Sequence, residues 1–265
     1  MNKVTSRSIR TAEDQGEIVW YVEQRGNGPH VVLIPSEQGD CGSFDAVAEY
    51  LASDFTVTTF DTPGFSRTKV GANVDISMGP LGRQVAKLLT TLAIEDAVIY
   101  GCSSGGLAAL DLVSLYPKFV RRAVVHEAAL PGDDRDKQIV KLAAMDDSEI
   151  AAACANMYEN MMNDDPGAWK AIGEDFHQRL ARNYPTWIHR YVAGPQHEPF
   201  DPETLAGRPI TWTIGGLFEV HLFFSNAQLA HRAGLDIGFL PCKHFPQVSI
   251  PELLADHIRN ASRPA

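Results

Sequence analysis

Ser103 stands at the centre of Gly101-Cys102-Ser103-Ser104-Gly105, a G-x-S-x-G pentapeptide entered from the β-branched and aromatic run Val98-Ile99-Tyr100 and left through the helix-patterned residues 105–116. Strand, tight turn and helix in that order form the context of a nucleophile elbow, in which the turn presents a serine hydroxyl at the end of a sheet. The glycines serve the turn, because the serine is held in a strained backbone conformation and strand and helix pass too closely for a Cβ. Such a serine can perform covalent acyl transfer. For that its hydroxyl needs a base within hydrogen-bond reach and a third group that orients the base.

Of the nine histidines, His244 falls in Pro241-Cys242-Lys243-His244-Phe245-Pro246, directly behind the last strand-like run, 236–240. That is where the base of a serine, acid, histidine order belongs. His257 lies in a terminal helix, and His177, His189 and His197 lie in a long helical stretch. Two carboxylates end strands and could orient the imidazole: Glu127, after 122–126, and Glu219, a few residues beyond 209–214, with Asp133 and Asp134 behind them. Position alone leaves Glu127 and Glu219 open. Two main-chain N–H groups must also face a developing oxyanion, one from the residue after the nucleophile and one from the loop after the first buried strand. These are Ser104 and Glu37, or the neighbours Ser36 and Gln38.

The elements that must position these residues follow from periodicity. Residues 17–24 alternate as a strand, and 31–34 form a continuous apolar run suited to a strand buried on both faces. The polar loop 35–42 then sits at a strand's carboxyl end, where open α/β sheets place ligand sites. Helix 44–51, strand 56–60, helix 78–92, strand 97–100, helix 105–116 ending before Pro117, and strand 122–126 continue the alternation. This rhythm predicts an α/β fold, a mostly parallel, doubly wound central sheet flanked by helices. Residues 133–207 carry no strand signal but show helical segments at 138–145, 147–163 and 166–180. They predict a helical lid (cap) over a core made of 1–132 and 208–265. Met157, Tyr158, Met161, Met162, Trp169, Tyr184, Trp187 and Tyr191 enrich the lid, about a third of them expected to face an apolar pocket and the rest to form the lid's own core. The core resumes with strand 209–214, helix 222–233, strand 236–240 and helix 251–262.

Composition bounds the partners. The formal net charge of −10 argues against nucleic acid. No apolar run approaches a membrane span, and Met1-Asn2-Lys3-Val4-Thr5-Ser6-Arg7 lacks the apolar core of a signal peptide, so a cytoplasmic protein without membrane partners is expected. Cys41, Cys102, Cys154 and Cys242 show no C-x-x-C spacing, which predicts neither a metal site nor a disulfide framework. Homodimerisation is compatible with the sequence.

Several separated strings together resemble the fungal zearalenone hydrolases, members of the α/β-hydrolase superfamily: the pentapeptide around Ser103, the pair His126-Glu127, Asn183-Tyr184-Pro185-Thr186-Trp187, and His244-Phe245-Pro246-Gln247-Val248-Ser249. Trp20-Tyr21, Val57-Thr58-Thr59-Phe60-Asp61 and Trp212-Thr213-Ile214-Gly215 add weaker matches. The resemblance implies an α/β-hydrolase fold and a serine hydrolase that opens the macrocyclic ester of a resorcylic acid lactone, a small apolar substrate, without metal or cofactor. It implies Ser103 as nucleophile, His244 as base, Glu127 rather than Glu219 as the acid, and Trp187 as a substrate contact. The chain departs from the family in places. Ser36-Glu37-Gln38-Gly39 stands where the family usually has Asp-Gly-Leu-Gly, Ala129 replaces a proline, Lys243 a methionine and Gln247 a tyrosine. Each is expected near the substrate, with Ser36, Ala129 and Gln247 in contact with it. A broad carboxylesterase and a ligand receptor of the same fold with slow or no turnover are the competing readings.

Overall fold

A computed structural model describes residues 3–130, 135–194 and 197–263, so Asp133 and Asp134 lie outside the described residues. β1 (Thr5–Glu13) and β2 (Gly16–Arg25) form an antiparallel hairpin. β3 (His30–Ile34), β4 (Thr56–Phe60), β5 (Lys69–Val70), β6 (Ala97–Cys102), β7 (Val120–His126), β8 (Ile210–Gly215) and β9 (Ile237–Leu240) complete a sheet in the order β1-β2-β4-β3-β6-β7-β8-β9, with β5 beside β2. From β4 to β9 every neighbour is parallel, whereas β2 runs antiparallel to β1, β4 and β5. The apolar runs explain the centre: all of β6, and β3 after His30, is buried, as a strand covered on both faces must be. β1 carries no such signal. Its side chains, Thr5-Ser6-Arg7-Ser8 first among them, are mostly exposed, and it is held as a polar edge by its ladder to β2.

Helices α1 (Asp45–Leu51), α2 (Leu81–Leu92) and α3 (Ser104–Leu115) connect the parallel strands. Between β7 and β8 the chain is helical, as expected: α4 (Arg135–Ala143), α5 (Asp147–Asn156), α6 (Pro166–Ala171), α7 (Glu174–Thr186) and α8 (Pro202–Leu205). The continuous helix expected over 166–180 is instead broken. α6 ends before Gly173, whose φ of 110° suits glycine and cannot belong to a helix, and α7 starts afresh to run past Leu180. π turns at Met157–Met161 and Trp187–Tyr191 extend α5 and α7, a feature frequent where helices serve a functional site. After β8 come α9 (Phe224–Arg232), and, beyond β9, α10 (Pro246–Ser249) and α11 (Pro251–Ala261). No helix among the described residues is long and apolar enough to cross a membrane. The four cysteines are free and buried.

The insertion is tied to the loops that end the parallel strands. Arg179 on α7 reaches the buried Asp40 through Nε at 2.5 Å, and Asn183, one turn on, donates to the Gln38 carbonyl at 2.8 Å and accepts from the Ser66 amide at 2.9 Å. On the other side, the main-chain N–H of His244 donates to the Met162 carbonyl at 3.0 Å and that of Lys243 to Asp164 Oδ1 at 2.9 Å. The loops after β3 and after β9 therefore take part of their shape from the insertion.

A third tie is titratable. His197 Nε2 meets Asp111 Oδ1 on α3 at 2.8 Å while Nδ1 meets the Glu198 carbonyl, so both ring nitrogens face acceptors and a charged imidazolium satisfies both. Burial opposes that charge, but the hydrogen bond and charge of Asp111 outweigh it and raise the His197 pKa. The contribution to stability is thus fully present below the ordinary histidine value of about 6.5 and is lost as pH rises through the raised folded value. Wild type is expected to exceed His197→Asn by about 1–2 kcal/mol at pH 6, a gap that closes toward pH 9. Denaturant unfolding at a series of pH values checks this, and a gap that stayed constant would show that the imidazolium is not its source.

Candidate active site

The elbow between β6 and α3 is built by close approach. Ser103 has φ 55° and ψ −121°, a conformation that side-chain-bearing residues rarely adopt. It is held by its own N–H donating to the His126 carbonyl at 3.0 Å and by its carbonyl accepting from Leu107 and Ala129, each at 3.1 Å. A Cβ on Gly101 would lie 2.0 Å from the Gly105 carbonyl oxygen, and one on Gly105 would lie 2.4 Å from that of Ile34. The two glycines of the pentapeptide are therefore required by the crossing of strand and helix.

Glu127 follows β7 in a second strained turn, φ 44°, pinned by its N–H to the Thr213 carbonyl at 3.1 Å. The turn buries its side chain completely. Oε1 accepts the Gly215 N–H at 2.8 Å, and Oε2 meets His244 Nδ1 at 2.5 Å. His244 is itself buried and packs face to face with Phe223, with ring centres 5.1 Å apart and an angle of 13°, while Phe245 lies 4.9 Å away at a tilt. Glu219 is elsewhere: its side chain is 72% exposed and faces His221 at 3.5 Å. The neighbouring His126 is no rival base. Burial drives its pKa down to about 4 despite the Glu127 charge, so it stays neutral at ordinary pH while Nδ1 meets Thr213 Oγ1 at 2.9 Å.

Ser103, Ser104, Glu37 and His244 line one cavity, walled by Met78, Ala129, Ile139, Leu142, Met157, Tyr158, Met162, Trp187, Tyr191, Val192 and Phe223. A few polar groups share the cavity with an apolar lining drawn largely from the insertion, a composition that suits a ligand with one reactive ester in a hydrophobic frame.

The chain matches the alpha/beta hydrolase fold family over residues 29–204. The zearalenone hydrolase of Bionectria ochroleuca is 37% identical over 258 residues, a match that covers 95% of this chain and 97% of that one. That of Cladophialophora bantiana is 35% identical over 253 residues, 93% of each. This chain belongs to the zearalenone hydrolase family. Among solved structures, a thermophilic esterase from Thermogutta terrifontis shares its fold, with a TM-score of 0.74 over 97% of each chain at 21% identity.

Against the zearalenone hydrolase pattern, the departures from it fall in different places. Ala129 and Glu37 line the cavity, as does Trp187. Ser36 and Gln247, expected at the substrate, are buried but do not line it. The Ser36 carbonyl closes a turn with the Gly39 N–H at 3.0 Å, and the short α10 turns Gln247 toward Tyr100, whose hydroxyl lies 3.4 Å from its Oε1. Of the Met and aromatic residues of the insertion, five rather than about a third face the cavity: Met157, Tyr158, Met162, Trp187 and Tyr191. The π turns account for the excess, since Met157, Tyr158, Trp187 and Tyr191 all belong to them. Trp169 and Tyr184 stack on Tyr158 instead, and Met161 is exposed. Sequence reasoning missed Phe223, which it placed only as part of the helix 222–233, and Tyr158 as a partner of Glu37; only its aromatic type marked Tyr158.

Proposed function

We propose that this chain is a serine hydrolase that opens the macrocyclic ester of a resorcylic acid lactone such as zearalenone. The observation that carries the reading is the buried Glu127–His244 pair, whose histidine lines one cavity with Ser103 among largely apolar side chains. The activity named for the two fungal relatives supplies the substrate class.

In this reading Ser103 Oγ attacks the lactone carbonyl while His244 Nε2 accepts its proton, and Glu127 holds Nδ1–H and stabilises the imidazolium. The N–H groups of Ser104 and of the loop at Glu37 bind the oxyanion. Collapse expels the ring alcohol, which takes the proton from His244 and leaves an ester of Ser103. Because the ester was cyclic, that alcohol stays tethered to the acyl group, and water must compete with it. Water deprotonated by His244 then attacks the acyl carbon and frees the open hydroxy acid with Ser103 restored. Residues 133–207 act as the lid that holds the macrocycle, and 1–132 with 208–265 as the catalytic core. The proposal extends to a cytoplasmic enzyme, in keeping with four free, buried cysteines.

Incubation with zearalenone, following loss of the lactone by chromatography, tests the reading, with short acyl esters of p-nitrophenol alongside. Ring opening with strong preference for the macrocycle is expected. No loss of the lactone would overturn it, and equal turnover of both classes would recast the protein as a broad carboxylesterase.

A further inference from the structure

The reaction just described makes no use of the Glu37 carboxyl group, and that group is costly where it stands. Glu37 is 7% exposed and lines the cavity with Ser103, Ser104 and His244. Its Oε1 accepts from the Tyr158 hydroxyl at 2.9 Å, while its Oε2 is buried without a hydrogen-bond partner among the described residues. An acidic oxygen out of water and unpaired is unfavourable by itself. A negative group in the cavity where an oxyanion must develop also opposes the first chemical step, because like charges in a low-dielectric site repel strongly. An apolar side chain of the same size would spare both costs.

We infer that Glu37, held by Tyr158, is a recognition site for a hydrogen-bond donor on the acyl half of the substrate, selecting esters that carry a hydroxyl beside the scissile carbonyl. The inference rests on ester hydrolysis at Ser103 as proposed above. The loop that bears Glu37 is the one assigned to the oxyanion, and Glu37 lines the same cavity as Ser103 and Ser104, which favours a contact with the acyl half of the ester. In a resorcylic acid lactone the aromatic carbon next to the one bearing the carbonyl carries such a hydroxyl. Its O–H supplies the donor that Oε2 lacks and lies between the carboxylate and the oxyanion. Tyr158 cannot serve both oxygens. Burial raises its pKa far above ordinary pH, so it keeps its proton, and its one O–H is committed to Oε1. A substrate without the hydroxyl leaves the acid unpaired in the closed site, which is how a polar pocket rejects an analogue that lacks the matching group.

The test compares kcat/KM for zearalenone with that for its analogue in which the hydroxyl ortho to the carbonyl is replaced by hydrogen, in wild type, Glu37→Gln and Glu37→Leu. Replacement by hydrogen adds no bulk, and the preference is a ratio within one preparation, so partial loss of folded protein does not distort it. Wild type is expected to prefer the hydroxylated lactone by about 10- to 100-fold. The preference should fall to within about threefold in Glu37→Leu and lie between in Glu37→Gln, whose amide oxygen still accepts but carries no charge. A wild type indifferent to the hydroxyl, or a preference kept in both variants, would overturn the inference. If wild type opened no lactone at all, the proposed function would fail instead, and the ratio of dissociation constants of the two intact compounds would decide the role of Glu37 in the same three proteins.

Discussion

Ser103→Ala is expected to lower the rate of zearalenone ring opening by about 10⁴- to 10⁶-fold, the scale on which removal of a serine nucleophile acts in other hydrolases. The size follows from covalent catalysis: without Oγ there is no acyl-enzyme, and only binding and the oxyanion donors remain to assist water. The fold should survive. Alanine keeps the Cβ that Ser103 already carries at φ 55°, and the main-chain bonds to His126, Leu107 and Ala129 do not involve the hydroxyl. Lactone loss measured beside thermal unfolding checks both parts. A variant that unfolds like wild type and still opens the ring at a comparable rate would remove Ser103 from the mechanism.

The second large effect is expected at Glu127. Glu127→Gln should cost about 10⁴-fold in kcat, as replacing the orienting acid of a serine triad by its amide does. Both Glu127 oxygens receive donors, the Gly215 N–H on Oε1 and His244 Nδ1 on Oε2. A glutamine has one acceptor oxygen for these two donors. If the oxygen stays with Gly215, its NH₂ group faces Nδ1, forces the proton to Nε2 and leaves the imidazole unable to take the serine proton. If it flips, the NH₂ meets the Gly215 N–H and loses a buried bond. Glu219→Gln should remain within about twofold of wild type, because that carboxylate is largely in solvent and touches no part of the cavity described. Steady-state kinetics of the two variants, with their melting temperatures, separates them, and a severe loss in Glu219→Gln with an active Glu127→Gln would reverse the assignment.

Much of this architecture is written in short stretches of chain. β3, β4 and β6 are legible because a strand buried on both faces needs an unbroken apolar or β-branched run, and α2 because one face repeats at helical spacing. The pentapeptide around Ser103 is legible as a pattern, although only the clash that excludes a Cβ at Gly101 arises within it, against the Gly105 carbonyl; the clash at Gly105 is with Ile34 at the end of β3, far off in the chain. The candidate base, His244, could be read from order alone, as the histidine behind the last strand. β1 escaped because an edge strand buries little and so imposes no pattern on its side chains. The break at Gly173 escaped because the segments on either side are both helical, and a single glycine inside a helical pattern does not by itself fix a break.

The candidate acid could not be read the same way from position. Glu127 and Glu219 both follow strands, and in the linear chain nothing distinguished them but resemblance to a family. The folded chain separates them through contacts that no local pattern encodes: a left-handed turn that aims one carboxylate inward, an amide of β8 88 residues away that receives it, and a histidine 117 residues away that packs against it. The same holds for Phe223 on His244 and for Tyr158, 121 residues from the Glu37 it holds. Propensity and periodicity act between neighbours in the chain and can be read from it. Which polar group meets which across the cavity depends on how the sheet, the elbow and the insertion pack together, and burial attaches its energetic consequence to each pairing only once that packing is complete.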